Sequence, residues 1–264
     1  MIDTHAHLNF PELTVNLDQI IKDSQKAGLT GIIVASSSIE DSIKAVDLAK
    51  KYPNFLYTSV GIHPQKTDPE NKNSIEDQIK NLRLLIKENR QQVVAIGETG
   101  LDFSQPPPSE EERSKEAQTT LFRAQISLAE EFTLPLIIHA REANDEIIEI
   151  LSQHQVNGVF HCYSGGKKRI EKILNLSGKW FFGLDGNLTY DQGLQIVASL
   201  IPKEKIILET DSPFLTPEPK RGELNTPTNL PFIVGKLSEL WQVDKQSVIS
   251  QTLENTKNLF NINC

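Results

Sequence analysis

The sequence predicts an α/β fold in which eight parallel strands close into a single (β/α)8 TIM barrel. Three observations carry that prediction. Short apolar runs rich in β-branched and aromatic residues recur along the chain, amphipathic helical patterns fill the gaps between them, and the length of 264 residues matches one barrel of about 250 residues. Regular alternation of strand and helix implies a parallel sheet, and near-continuous apolar strands are what a sheet covered on both faces requires. A doubly wound open sheet is the alternative arrangement.

In order along the chain, strands are expected at Ile2 to Leu8, Gly31 to Ser36, Phe55 to His63, Val93 to Glu98, Pro135 to Ala140, Gly158 to Tyr163, Trp180 to Leu184 and Lys205 to Asp211. Helices are expected at Leu17 to Ala27, Ile39 to Lys51, Ile75 to Glu88, Lys115 to Phe132, Glu142 to Gln153 and Arg169 to Leu176, where apolar residues fall at i, i+3 and i+4. Pro106-Pro107-Pro108 interrupts the unit after the fourth strand as a rigid loop, and Ser109 followed by Glu112 has the form of a capping box. The stretch from Asp211 to Asn229 holds Pro213, Pro217, Pro219 and Pro227, too many breaks for a helix, and reads as a long loop over the eighth strand. No domain linker, repeat or low-complexity tract divides the chain, so residues 1–264 are expected to form one domain.

Composition narrows the function class. Hydrophobic content of 38% with 23% charged residues is that of a globular protein, and no apolar run approaches the roughly 20 residues of a membrane span. The chain enters its first strand at once, with no basic region or apolar signal core, and carries only Cys162 and Cys264. Both features point to the cytoplasm and a reducing compartment. A net charge of −8 argues against a protein that coats duplex DNA through many phosphate contacts. It leaves room for an enzyme gripping a few phosphates with Arg141, Lys167, Lys168, Arg169, Lys220 or Arg221.

The polar residues carry the chemistry. In Asp3-Thr4-His5-Ala6-His7 the two-residue period of a strand sends Asp3, His5 and His7 to one face, where two imidazoles can hold a metal ion. His63, Glu98, His139, His161, and Glu209 with Asp211 each end their own strand. Five of the six histidines thus fall at strand C-termini, the face on which α/β barrels build active sites. Parity supports this, since Val94, Ile96 and Glu98 share a face, as do Ile137 and His139, Val159 and His161, and Ile207, Glu209 and Asp211. Four imidazoles and at least two carboxylates exceed what one zinc ion takes, so a dinuclear site is expected. Glu98, central among the strands, is the expected bridge. Two ions about 3.5–4 Å apart would activate a water as nucleophile.

The chain resembles the TatD family of metal-dependent hydrolases, amidohydrolase-like barrels. The resemblance rests on Asp3-Thr4-His5-Ala6-His7, Gly61-Ile62-His63-Pro64, Gly97-Glu98-Thr99-Gly100-Leu101-Asp102, Ile138-His139-Ala140-Arg141, His161-Cys162-Tyr163-Ser164-Gly165 and Glu209-Thr210-Asp211-Ser212-Pro213, which run in family order over almost the whole chain. It implies one metal held by His5, His7, Glu98 and Asp211, and a second held by Glu98, His139 and His161. It also implies cleavage of DNA phosphodiesters from an end, often the 3′ end. Thr99 stands where the family usually has isoleucine, and Phe103-Ser104-Gln105 with the prolines replaces the usual aromatic and basic residues. The ligands are untouched, and the departures bear on substrate contacts near strand four.

Each residue also has a plainer reading. Asp3 and Glu209 are expected to orient ligands without binding metal. His63, fixed by Pro64, is assigned to a phosphate or leaving-group contact; Arg141 either binds phosphate or pairs with a carboxylate. Lys167 and Arg221 are further candidates for phosphate at the rim, against an ordinary solvated role. Asp102 is read as capping its loop, His154 as a surface helix residue, and Cys162 as packing toward the helices. Asp211 is expected both to ligate metal and to accept a proton as general base, making Glu98, Asp211 and His63 the catalytic set. Histidine-rich ligation suits zinc, manganese, iron or nickel by softness, while the nuclease resemblance adds magnesium.

The leading functional expectation is a two-metal deoxyribonuclease acting on DNA ends or single strands, 3′-5′ exonuclease-like. The alternative is a metal-dependent amide or ester hydrolase such as a D-aminoacyl-tRNA deacylase, which has less need of cations at the rim. A metal-binding barrel without catalysis would be expected to lack a ligand, and none is missing. No membrane or obligate protein partner is indicated.

Overall fold

A computed structural model describes residues 1–67, 72–106 and 114–262, with the backbone alone for 72–74. The strands are β1 (Ile2–Ala6), β2 (Gly31–Val34), β3 (Leu56–Val60), β4 (Val93–Asp102), β5 (Leu136–Arg141), β6 (Gly158–Phe160), β7 (Trp180–Leu184) and β8 (Ile206–Leu208). They form one eight-stranded sheet in sequential order, with all seven neighbouring pairs parallel. The ring closes between β8 and β1. Asp211 N–H donates to His5 O at 2.9 Å, His7 N–H donates to Ser212 O at 2.7 Å, and Ala6 bridges Ser212 in parallel. The expected (β/α)8 barrel is therefore observed, and the open sheet is excluded.

Among the described residues ten α-helices accompany the sheet: α1 (Pro11–Thr14), α2 (Leu17–Lys26), α3 (Ile39–Lys51), α4 (Lys72–Glu88), α5 (Lys115–Phe132), α6 (Asn144–Leu151), α7 (Lys167–Leu174), α8 (Gln192–Leu200), α9 (Leu230–Trp241) and α10 (Lys245–Phe260). Several begin where a side chain accepts an otherwise unpaired backbone N–H: Ser38 from Asp41, Ser114 from Ala117, Asp191 from Leu194 and Asp244 from Ser247. The expected capping box at Ser109–Glu112, with Pro107 and Pro108, lies outside the described residues. His154 sits past the end of α6, half-buried, with Nδ1 3.1 Å from Glu130 Oε1, and not within the helix. Among the described residues, no helix is long and apolar enough to cross a membrane.

The core is divided by strand parity. Ile33, Val94, Ile137, Val159, Phe181 and Ile207 fill the barrel interior, where Leu259, Phe260 and Ile262 from the end of α10 join Ile2 at the start of β1. Ile32, Ile138, Phe160, Phe182 and Leu208 pack outward with the helices. Alternation from Ile137, Val159 and Ile207 carries His139, His161 and Glu209 inward at the strand C-termini, as expected.

Strand β4 breaks this rule. Val94 and Ala95 both belong to the inner cluster while Ile96 packs outward, so Val94, Ile96 and Glu98 do not share a face. Register shifts flank this point, between Thr58 and Ser59 against β3 and between Ile96 and Thr99 against β5. Glu98 reaches the mouth through that irregularity. The strand then continues to Asp102, with Gly100 at φ +141°, passing so close to β5 that a Cβ on Gly100 would lie 2.0 Å from His139 O. Gly100→Ala should therefore destabilise the protein by about 2 kcal/mol or more, from overpacking plus backbone strain. Urea unfolding would measure this, and a stability within about 0.5 kcal/mol of wild type would contradict the close approach.

Candidate metal centre

Five of the expected strands end earlier than the spacing predicts, and in four of them the candidate site residues sit on the first turn beyond. His7 follows β1, His63 follows β3, His161 follows β6, and Glu209 and Asp211 follow β8. Leaving the strand frees each backbone to bend over the barrel mouth. Asp211 and Cys162 do so with positive φ, +54° and +44°.

Two groups of donor atoms meet there, one on each oxygen of Glu98. On one side, His5 Nε2 and His7 Nε2 lie 3.3 Å apart, with Asp211 Oδ1 at 3.6 and 3.4 Å from them and Glu98 Oε2 at 3.7 and 3.9 Å. Ligands of a tetrahedral ion with bonds of about 2.1 Å stand about 3.4 Å apart, so the His5, His7 and Asp211 atoms have the spacing of one coordination shell, with Glu98 Oε2 beside the two imidazoles. On the other side, Glu98 Oε1 lies 2.9 Å from His139 Nδ1, 2.8 Å from His161 Nε2 and 3.4 Å from His63 Nε2. His139 Nδ1 and His161 Nε2 are 3.4 Å apart. Buried carboxylate oxygens and imidazole nitrogens turned toward common points fit a cation at each, and the donor set of nitrogen and oxygen fits a divalent one.

The surroundings fix these donor side chains. Asp102 Oδ2 lies 3.3 Å from His139 Nε2 and accepts from Gln65 Nε2 at 2.6 Å, while Oδ1 accepts from Ser104 N–H at 3.0 Å. Asp102 thus caps its loop, as expected, and also orients His139, which the sequence reading did not foresee. A carboxylate holding Nε2–H leaves Nδ1 as the lone-pair donor. His63 differs. Its Nδ1 accepts from Gln65 N–H at 3.1 Å, which puts the proton of the neutral ring on Nε2, the atom that faces Glu98. Asp3 does not touch an imidazole. It accepts from His5 N–H and Thr210 N–H through Oδ1 and from Thr210 Oγ1–H at 2.6 Å through Oδ2. It therefore locks the backbones that carry His5 and Asp211. Glu209 accepts from Cys162 N–H, and Gly183 leaves it room, since a Cβ there would lie 2.5 Å from its carboxylate.

Cys162 is not packed toward the helices. Its left-handed backbone turns the thiol inward, where it hydrogen-bonds Asp185 and lies with donor atoms of His161 and Asp211 within 4.8 Å of one another. Parity holds for His161, one residue past the end of β6, and fails at Cys162, where the backbone has left the extended region.

Above the donors opens a cavity of about 640 Å³, lined by Glu98, Asp211, His7, His63, His139 and His161 and walled further by Arg141, Lys44 and Lys66. No carboxylate pairs with Arg141 among the described residues. Lys167 is the exposed first residue of α7, and the Arg221 guanidinium lies over the Tyr190 ring at 4.1 Å; neither lines this cavity. Lys44 and Lys66 take the rim instead, placed by α3 and by the turn after His63, with no sequence signal to single them out.

Without a cation among them, these groups hold unusual proton affinities. Burial, reinforced by His161, pushes His5 down to about 3. Burial opposes charging His161 as well, but Glu98, Glu209 and Asp211 raise it to about 10. Burial lifts Glu209 to about 8 and Asp3 to about 7, against the hydrogen bonds they accept. Glu98 stays well below the usual range despite burial, because His161 and His63 face it.

An eight-stranded barrel crowned by such donor groups defines a metal-dependent hydrolase. More narrowly, the TatD-related DNase family matches residues 2–261, and the chain belongs to it. An uncharacterized metal-dependent hydrolase of Bacillus subtilis, YabD, is 31% identical, the match covering 100% of both chains. The 3′-5′ ssDNA/RNA exonuclease TatD of Erwinia tasmaniensis is 30% identical over 99% of this chain and 100% of its own. Among solved structures, the TatD homologue YjjV of Escherichia coli superposes with a TM-score of 0.88 at 28% identity, covering 100% of this chain and 98% of its own.

Above pH 7 the sign of the proton linkage is uniform. His161 and Glu209 keep protons in the folded, metal-free protein that the unfolded chain releases, so stability falls as pH rises. For the chelator-treated protein, Tm should drop between pH 7 and 9, and His161→Gln should flatten the slope. A Tm that is constant or rising over this range would contradict the assignment.

Proposed function

We propose that the protein is a metal-dependent phosphodiesterase that trims DNA from accessible ends and single strands, using two divalent ions. One ion would be held by His5, His7, Glu98 and Asp211, the other by Glu98, His139 and His161. The observation that carries this reading is that the two oxygens of one buried carboxylate, Glu98, face two separate donor groups. The relatives named ssDNA/RNA exonucleases support the substrate class. Zinc, manganese or nickel fits the imidazole-rich donors, with magnesium favoured only by the likeness to nucleases.

Bound there, the ions would supply Lewis acidity and a water acidic enough to be ionised near neutral pH. The chain's own groups do the rest. Asp211 is ionised in the metal-free protein despite burial because His7 faces it, and beside a bound ion it would accept the proton of the attacking water as general base. His63, with its proton on Nε2, is set to donate to a phosphate or departing oxygen, which favours substrate contact over metal ligation. Arg141 and Lys66 supply positive charge on the cavity wall, where a phosphodiester needs it and an amide or aminoacyl ester does not. Lys167 and Arg221 could meet only nucleotides farther from the cut.

Metal analysis after reconstitution should approach two ions per chain in wild type and one in His139→Ala; one ion in both would refute the two-ion reading. Glu98→Ala should remain folded and lose at least about 10²-fold in turnover. Near-normal turnover on a confirmed substrate would remove Glu98 from its role.

End-labelled single-stranded DNA should shorten stepwise. With one or two phosphates gripped near the cut, affinity should fall less than about tenfold between 50 and 200 mM salt. Cleavage of closed circular DNA would overturn the end-trimming reading, and rapid hydrolysis of aminoacyl-tRNA with no attack on DNA would favour the amide or ester hydrolase.

A further inference from the structure

One wall of the cavity is aromatic. Phe10 stacks on the His7 ring with centroids 4.6 Å apart and planes at 27°. Phe214 stands edge-on to both, 6.2 Å from Phe10 at 81° and 6.2 Å from His7 at 69°. Both phenylalanines line the cavity that holds Glu98 and Asp211, and Phe214 is 51% exposed. Its loop is tied down. Phe214 N–H donates to Asp211 O at 2.9 Å, and the fully buried Asn225 donates its side-chain amide to Thr210 O and Phe214 O. A large apolar ring is thus held open to solvent by a fixed backbone three residues from a metal donor. Scattered exposed apolar residues need no explanation, but a fixed aromatic corner inside a polar, cation-bearing cavity does.

We propose that Phe10 and Phe214 form a base-stacking subsite for the nucleotide whose phosphate lies at the donor groups. This rests on the phosphodiesterase reading and deepens it. The cavity is two-sided: Arg141 and Lys66 offer charge for a phosphate, while the Phe10–Phe214 corner beside His7 offers π-faces and no hydrogen-bonding groups of its own. Phosphate and base of one nucleotide need such a pair of surfaces, and a volume of about 640 Å³ lies in the range of small-ligand sites. Stacking without edge contacts tolerates any base, so the subsite would grip single strands without reading sequence, and a paired duplex would have to unstack its end to enter.

The test measures binding of dAMP and of 2-deoxyribose 5-phosphate, by calorimetry, to metal-loaded wild type, Phe214→Ala, Phe10→Ala and Phe214→Trp, with cleavage of a single-stranded oligonucleotide followed in parallel. Wild type should bind dAMP roughly 5- to 100-fold more tightly than the sugar phosphate, the scale of one base–aromatic stack. That ratio should fall toward one in the alanine variants and survive in Phe214→Trp. Metal content and circular dichroism of the Phe214 variants should match wild type, since Phe214 is exposed. Equal affinity for the two ligands in wild type, binding of neither, or a ratio unchanged in both alanine variants overturns the stacking subsite. If the oligonucleotide is still cleaved, the phosphodiesterase reading stands without it. If wild type neither binds dAMP nor cleaves the oligonucleotide, both fall.

Discussion

Burying Glu98 is the constraint on which the site depends. A carboxylate taken out of water is costly unless it is paired, and Glu98 is only 5% exposed at the mouth of the barrel. Its two oxygens are offset by imidazoles on opposite sides, from β1 on one and from β5, β6 and the turn after β3 on the other. Those imidazoles cannot all be protonated next to one another, as the opposite displacement of His5 and His161 shows. Cations between the donors would resolve this arrangement electrostatically and would make metal loading and folding linked quantities.

The barrel supplies this constraint with rigid supports. Asp3 spans β1 and the segment after β8 through backbone N–H groups, at the place where the ring closes. Asp102 holds His139 from the extension of β4, and Gln65 ties Asp102 to the turn that fixes His63. One hydrogen-bonded chain therefore runs from the backbone after β3 through β4 to His139 on β5. The geometry of the donor atoms is set by the neighbours that hold their side chains and backbones.

The cavity walls differ in chemistry because different elements build them. Lys44 comes from α3, Lys66 from the turn after His63, and Arg141 from the end of β5, while Phe10 and Phe214 come from the segments after β1 and β8. The ring closure at β8–β1 thus places the aromatic corner on one side, and the basic residues lie on the others. A net charge of −8 leaves this local positive wall as a focused feature against an acidic surface.

The sequence by itself determined the barrel and its crown. Strand–helix alternation gave eight strands in order, and period-two patterning from Ile137, Val159 and Ile207 aimed His139, His161 and Glu209 inward, because inner packing in a closed parallel sheet leaves little freedom of register. Only the tertiary structure decided what happens where strands stop. Glu98 turns inward through the shifted register of β4, Cys162 swings toward the site through a positive φ, and Asp102 reaches His139 only because β4 extends four residues past Glu98. Arg141 lines the cavity while Lys167 and Arg221 do not, and Lys44, Lys66, Phe10 and Phe214 do, since loop paths and helix placement depend on contacts distant in sequence. Patterning reads faces of regular elements; it carries no information about the bends between them, and this site is made largely of bends.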